Sequence, residues 1–288
     1  NKMSAKSSMK QLVPEGSGRL YGLVAFLTGS KNALKGAGFF LGAVLLSALG
    51  FKGAVLAMAG GLLLVWVASL LLLKTELGLA KQKPKFTQIF SGSPAINRLS
   101  LARFFLFGAR DVWFVVALPV YLSQVLGWDH WMVGGYLAVW VIGYGAVQAL
   151  APKIAKFGEG DGTGRARLLR DGLALAVIPL AMTLALTEGV EPTWVVTLGL
   201  LAFAVSFALN SALHSFLIVR FARDDGASLD IGFYYMSNAG GRLVGTVASG
   251  ALYQIGGLTL CLWTSVALIV AASVSALLIP KTLQTQAS

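Results

Sequence analysis

The sequence predicts an all-α protein, a polytopic bundle of transmembrane helices, and three observations carry that prediction. Of 288 residues, 56% are hydrophobic and only 12% are charged, about half the charged share of a soluble globular domain. Several stretches hold no Asp, Glu, Lys or Arg: 53–73, 131–152 and 192–219, with 243–280 long enough for two crossings. Basic residues recur at every second connection between these stretches, as cytoplasmic loops require. Composition therefore excludes a water-soluble enzyme, a disordered chain and a disulfide scaffold. The net charge of +11 marks the cytoplasmic side of a membrane protein rather than a nucleic-acid partner.

A short helical tail is expected over 1–13, followed by about eight spans. The first, 19–49, is apolar and small-residue-rich apart from Lys31 and Lys35. The second, 54–73, is uncharged. The third, 99–125, carries Arg103, Arg110 and Asp111 in an apolar run; the fourth, 131–152, is uncharged. The remaining spans are 169–187, 193–219, 231–253 around Arg242, and 258–280, the last two separated by the turn signal Ile255-Gly256-Gly257. Among the connections, 1–19 holds Lys2, Lys6, Lys10 and Arg19. The longest, 74–98, holds Lys74, Lys81, Lys83, Lys85 and Arg98 against Glu76 alone. Lys153, Lys156, Arg165, Arg167 and Arg170 follow the fourth span, Arg220 and Arg223 mixed with Asp224 and Asp225 the sixth, and Lys281 the last. The intervening turns hold Asp129, then Glu188 and Glu191, then no charge; Lys52 is the one exception. Loop 74–98 and the C-terminus are thus expected in the cytoplasm, with the chain multi-pass in an inner membrane.

Six spans follow the long loop and two precede it. A transporter of two six-helix halves joined by a cytoplasmic loop would make 1–73 the C-terminal part of the first half, 74–98 the central loop and 99–288 the second half. With Asn1 falling inside expected helix, the first three spans and part of the fourth of an expected twelve would be absent. The alternative is an eight- or nine-span protein.

Cys261 is the single cysteine, which excludes an internal disulfide and a thiolate zinc site; in its apolar run it reads as a small buried hydrophobe. His130 and His214 lie far apart in sequence, so no metal site is expected. The glycine-rich 158–164 lacks the Lys-Ser/Thr ending of a phosphate loop and reads as a flexible connection.

The informative residues are ionisable groups at mid-span: Lys31, Lys35, Arg110, Arg242 and Asp111. Each such group costs about 2.5–3.5 kcal/mol at a helix centre, so four cations facing one carboxylate call for an anionic counterpart, either in a partner helix or as a ligand. Lys31 and Lys35 share a helix face, as do Asn238 and Arg242; Gly241 and Gly245 beside Arg242 permit close approach. Arg103 shares the face of Arg110 but is expected to snorkel to the cytoplasmic end. Trp140, Tyr144 and Gln148 form one polar-aromatic stripe, and Ser206, Asn210 and His214 another, with His214 read as a hydrogen-bonded packing residue. The expected substrate-binding set is Lys31, Lys35, Arg110 and Arg242 for anionic ends, with Asn238, Tyr144, Gln148 and Asn210 as neutral partners. Asp111 is the candidate for proton coupling. Because adjacent helix residues point about 100° apart, Arg110 and Asp111 are expected to pair elsewhere.

Four stretches, Asn1-Lys2-Met3-Ser4-Ala5-Lys6-Ser7-Ser8, Gly29-Ser30-Lys31-Asn32-Ala33-Leu34-Lys35-Gly36, Phe107-Gly108-Ala109-Arg110-Asp111-Val112-Trp113-Phe114 and Gly127-Trp128-Asp129-His130-Trp131, closely resemble the ArsJ branch of the major facilitator superfamily. The resemblance runs over essentially the whole chain and covers the C-terminal part of the family's length. It implies a major facilitator-type fold and an efflux permease conferring arsenic resistance. The exported organic anion would be 1-arseno-3-phosphoglycerate, which a glyceraldehyde-3-phosphate dehydrogenase makes when arsenate replaces phosphate. No cofactor, enzymatic activity or catalytic residue is implied. The competing readings are an organophosphate exchanger of the same fold, a membrane-embedded enzyme acting on lipid phosphates, and a non-transporting sensor or scaffold. The enzyme would need clustered catalytic groups that the lone His214 and Asp111 do not supply, and the scaffold gives no reason for mid-span cations.

Overall fold

A computed structural model describes residues 19–72, 91–155, 164–223 and 227–280. Of these, 91% are helical and none is in a strand. The elements are α1 (Arg19–Leu72), α2 (Pro94–Phe114), α3 (Ala117–Gln124), α4 (His130–Ala155), α5 (Arg165–Thr187), α6 (Pro192–Phe221) and α7 (Ala227–Leu277). The tail 1–13, most of loop 74–98, nearly all of the glycine-rich connection and the residues after Pro280 lie outside the described set.

Local chemistry sets the ends. Pro94 and Pro192 stand in the first turns of α2 and α6, where a missing N–H is harmless. Gly127 and Gly189 take φ of 69° and 77° in the turns before α4 and α6, conformations that glycine adopts without strain. Asp129 Oδ1 accepts the Met132 N–H at 2.7 Å, capping α4.

Among the described residues six helices are long and apolar enough to cross a membrane. That is fewer than the eight spans expected, for two reasons. Within α1 only Ala48–Leu72 meets those criteria. The two last expected spans fall within one element, α7.

That element is bent back on itself. Gly256 and Gly257 leave helical geometry, with φ, ψ of −144°, 21° and 63°, −161°. Cys261 Sγ lies 3.7 Å from the Ser249 carbonyl oxygen, whereas twelve residues of straight helix would separate them by about 18 Å. A Cβ on Gly108 of α2 would meet Gly241 O at 3.2 Å and Leu268 Cδ1 at 3.8 Å, so α2 lies against both arms. The turn expected at 255–257 is therefore where the chain breaks. α1 is interrupted in a similar way at Gly50, with φ 66° and ψ 177°.

Two hydroxyls tie this junction. Ser265 Oγ donates to the Ala109 carbonyl at 2.7 Å. Ser249 Oγ accepts the Ala117 N–H at 3.1 Å, a donor left over where α2 gives way to α3. Ser265→Ala should destabilise the protein by about 1 kcal/mol, read as a lowered Tm in detergent.

Polar contacts also place the basic ends of the helices together. Arg98 Nη1 donates to Leu278 O at 2.6 Å, joining the start of α2 to the end of α7. Arg223, beyond α6, contacts Asp230 of the first α7 arm at 3.1 Å, and Asp230 also accepts from Ser91 Oγ at 2.5 Å. Arg167 Nη2 donates to Ala155 O at 2.9 Å, joining α4 to α5. The core divides in two. An aromatic half centres on Trp113, Trp140, Phe203 and Phe207, and a second on Tyr21, Ile96, Leu99, Phe216 and Tyr234. The distal arm of α1 buries none of its most apolar stretch and presents Leu62, Leu64, Leu71 and Leu72 outward, as a lipid-facing helix would.

Candidate functional site

The site is built on α2, which carries cations two turns apart on one face. Asp111 is wholly buried. Its Oδ1 lies 2.6 Å from Arg110 Nη2 and accepts from Arg110 Nε, also at 2.6 Å. Its Oδ2 accepts from Nε of Arg242, on the first arm of α7, at 2.7 Å. One carboxylate thus serves two guanidinium groups, leaving a local charge of one positive unit. The expectation that Arg110 and Asp111 pair elsewhere is corrected here. Adjacent Cβ atoms do diverge, but the long arginine side chain folds back onto its short neighbour. The Arg242 side chain is 45% exposed and that of Arg110 13%.

Close helix packing positions Arg242. A Cβ on Gly241 would collide with the Phe104 carbonyl oxygen, and one on Gly245 would lie 2.6 Å from Gly108 O. The glycines flanking Arg242 therefore admit the backbone of α2 rather than a ligand.

Two turns earlier on α2 lies a second polar centre. Arg103 is 5% exposed. It does not snorkel, because its neighbours supply acceptors inside the bundle. Its Nε donates to Asn238 Oδ1 at 3.0 Å. Its Nη1 donates to Ser211 O and Oγ at 3.2 and 3.1 Å. Its guanidinium lies 3.9 Å from the Phe107 ring centroid and 5.1 Å from that of Tyr234, within cation–π range. Among the described residues no carboxylate pairs with it. From Ser211 the chain of bonds continues outward. Gln148 Nε2 donates to Ser211 Oγ at 3.1 Å, and Gln148 Oε1 accepts from Asn32 Nδ2 at 2.5 Å. This network joins α7, α2, α6, α4 and α1.

Other expected residues have different settings. Tyr144 stacks on Trp140 with centroids 5.6 Å apart and an interplanar angle of 7°, in the aromatic core. Asn210 is buried, and its Oδ1 makes no hydrogen bond among the described residues; nor does His214 Nδ1, although His214 is buried as a packing residue would be. Cys261 is buried, as its apolar run suggests. Lys31 is half-buried and Lys35 exposed. Gly29 and Gly36 face α4, so at 100° per residue Lys31 and Lys35 lie on sides of α1 turned away from α4. Sequence reasoning missed Asn32, Ser211 and Phe107. Ser211 has a weak signal, a small polar residue beside Asn210 in an apolar run.

No protein-family model matches the chain, and no curated protein matches it. The resemblance to the organoarsenical permeases therefore rests on the four stretches quoted above.

Proposed function

We propose that this protein is a secondary transporter of major facilitator type that exports a small, highly anionic organoarsenical, 1-arseno-3-phosphoglycerate, by alternating access, and so confers arsenate resistance. The observation that supports this best is the surplus of interior cations. Asp111 is shared by Arg110 and Arg242, while Arg103 is buried with no carboxylate beside it among the described residues. Interior charge of one sign in a membrane protein is costly, and charges kept there despite the cost mark ion or substrate paths. In this reading the two arms of α7 cross separately, as do the two arms of α1. Region 1–73 belongs to a first helical half and 99–288 forms the second. Loop 74–98 and the C-terminus face the cytoplasm of an inner membrane. A glyceraldehyde-3-phosphate dehydrogenase supplies the substrate, and the protein itself catalyses no reaction. Asp111 is the carboxylate through which proton exchange would drive export, because a proton there would release both arginines toward the substrate.

The test is transport into inverted membrane vesicles. A dehydrogenase, glyceraldehyde 3-phosphate, arsenate and NAD+ as the hydride acceptor generate the arseno-ester outside, and trapped arsenic is measured. Uptake that depends on arsenate and on the protein is expected, and Arg110→Gln or Arg242→Gln should reduce it at least tenfold at equal protein level. Uptake of plain 3-phosphoglycerate in preference to the arsenylated compound would instead favour an organophosphate exchanger. No arsenic uptake would sink the assignment.

A further inference from the structure

Arg103 stands outside the Asp111 cluster and has its own surroundings. Its Nε and Nη1 are occupied by Asn238 and Ser211, but its Nη2 makes no hydrogen bond among the described residues. The acceptors it does use are neutral, so its charge is not cancelled. His214 stands one turn after Ser211 on the same face of α6, and its Nδ1 is buried without a hydrogen-bond partner among the described residues. The Tyr234 ring centroid lies 5.1 Å from the Arg103 guanidinium carbon.

We propose that Arg103, with Ser211, His214, Tyr234 and Asn238 around it, forms a second anion subsite that takes one end of a substrate bearing two anionic groups, while Arg110 and Arg242 take the other. The proposal rests on the transporter reading and deepens it by assigning a substrate class, a short organic bis-anion. A buried guanidinium with a spare nitrogen offers charge-assisted donors to a carboxylate or a tetrahedral oxyanion, and the unpartnered imidazole one turn from Ser211 can add another. The spacing suits two ends. Arg103 and Arg110 are seven residues apart on one face of α2, about 10 Å along the axis. Their guanidinium carbons lie 3.9 and 4.9 Å from the centroid of the same Phe107 ring, which caps their separation at about 9 Å. A three-carbon chain with an anionic group at each end is long enough to reach from one guanidinium to the other past the edge of that ring. An inorganic oxyanion engages one centre only.

The experiment is inhibition of the vesicle uptake described above by 3-phosphoglycerate, which carries two anionic groups, and by glycerol 3-phosphate, which carries one. For the unaltered protein the bis-anion should inhibit at least tenfold more potently. In Arg103→Gln the ratio should fall to about one. His214→Asn keeps Arg103 and decides the matter if Arg103→Gln does not fold or does not transport; its ratio should fall at least threefold. An unchanged ratio in a transporting Arg103→Gln variant, or in His214→Asn, overturns the subsite and leaves the transporter reading standing. A ratio near one in the unaltered protein also overturns the subsite. Absence of arsenic uptake by the unaltered protein overturns the transporter reading, and the subsite with it.

Discussion

Asp111→Asn is expected to destabilise the protein by about 3 kcal/mol and to abolish transport. Removing one member of a buried ion pair costs about 3–5 kcal/mol, because the partner is left charged and uncompensated. Here one carboxylate holds two partners, Arg110 at 2.6 Å and Arg242 at 2.7 Å. The lower end of the range applies because the Arg242 side chain is 45% exposed, so water screens much of its charge. Asparagine keeps the shape and one acceptor oxygen but raises the local charge from one positive unit to two. The double variant Asp111→Asn with Arg242→Gln restores the original charge. It should recover about half of the lost stability, while transport stays absent because one of the proposed substrate-binding cations is gone. Thermal unfolding in detergent reads the first effect and vesicle uptake the second. If the double variant is no more stable than the single one, charge balance is not what Asp111 provides.

The same cluster marks how far sequence reasoning reached. Charges at mid-span are visible in any linear reading, since an ion in an apolar run is conspicuous. So is the break at Gly256-Gly257, where two adjacent glycines interrupt an otherwise uncharged stretch. Helical periodicity also placed Asn238 with Arg242 and Gln148 on a polar stripe. What it could not supply was the end of each side chain. A helical wheel fixes the direction of Cβ, but an arginine reaches several ångströms beyond it. Arg110 folds back on Asp111, and Arg103 turns inward to Asn238 and Ser211. Snorkelling assumed water at the nearer end to be the better acceptor, whereas the bundle offers carbonyl, amide and hydroxyl oxygens closer at hand. Three-dimensional neighbours such as Asn32 and Gln148, 116 residues apart, leave no trace in local spacing.

The second large effect concerns the seam between α1 and α4, which brings Asn32 to Gln148. A Cβ on Gly145 would collide with the Ala33 backbone nitrogen and would lie 2.6 Å from Gly29 O and 2.9 Å from Ala33 Cα. All three obstacles are backbone atoms, so no side chain can swing aside. Reciprocally, a Cβ on Gly29 would press on the Ala149 nitrogen and lie 2.7 Å from its Cβ. In a membrane such contacts take the place of hydrophobic association, because lipid tails are as apolar as leucine and only close packing holds helices together. Gly145→Leu should therefore separate α1 from α4, break the Asn32–Gln148 bond and cost about 3 kcal/mol, the upper end of overpacking. Gly143 stands two residues earlier on α4 with nothing within 4 Å of its would-be Cβ, so Gly143→Leu should be neutral, or stabilising by up to about 1 kcal/mol through helix propensity. The pair controls for bulk, hydrophobicity and helix identity, leaving direction as the variable. Equal losses at both positions would mean that leucine perturbs α4 itself. Equal tolerance would mean that α1 does not pack there at all, and that the first helical segment is held to the rest by something other than this seam.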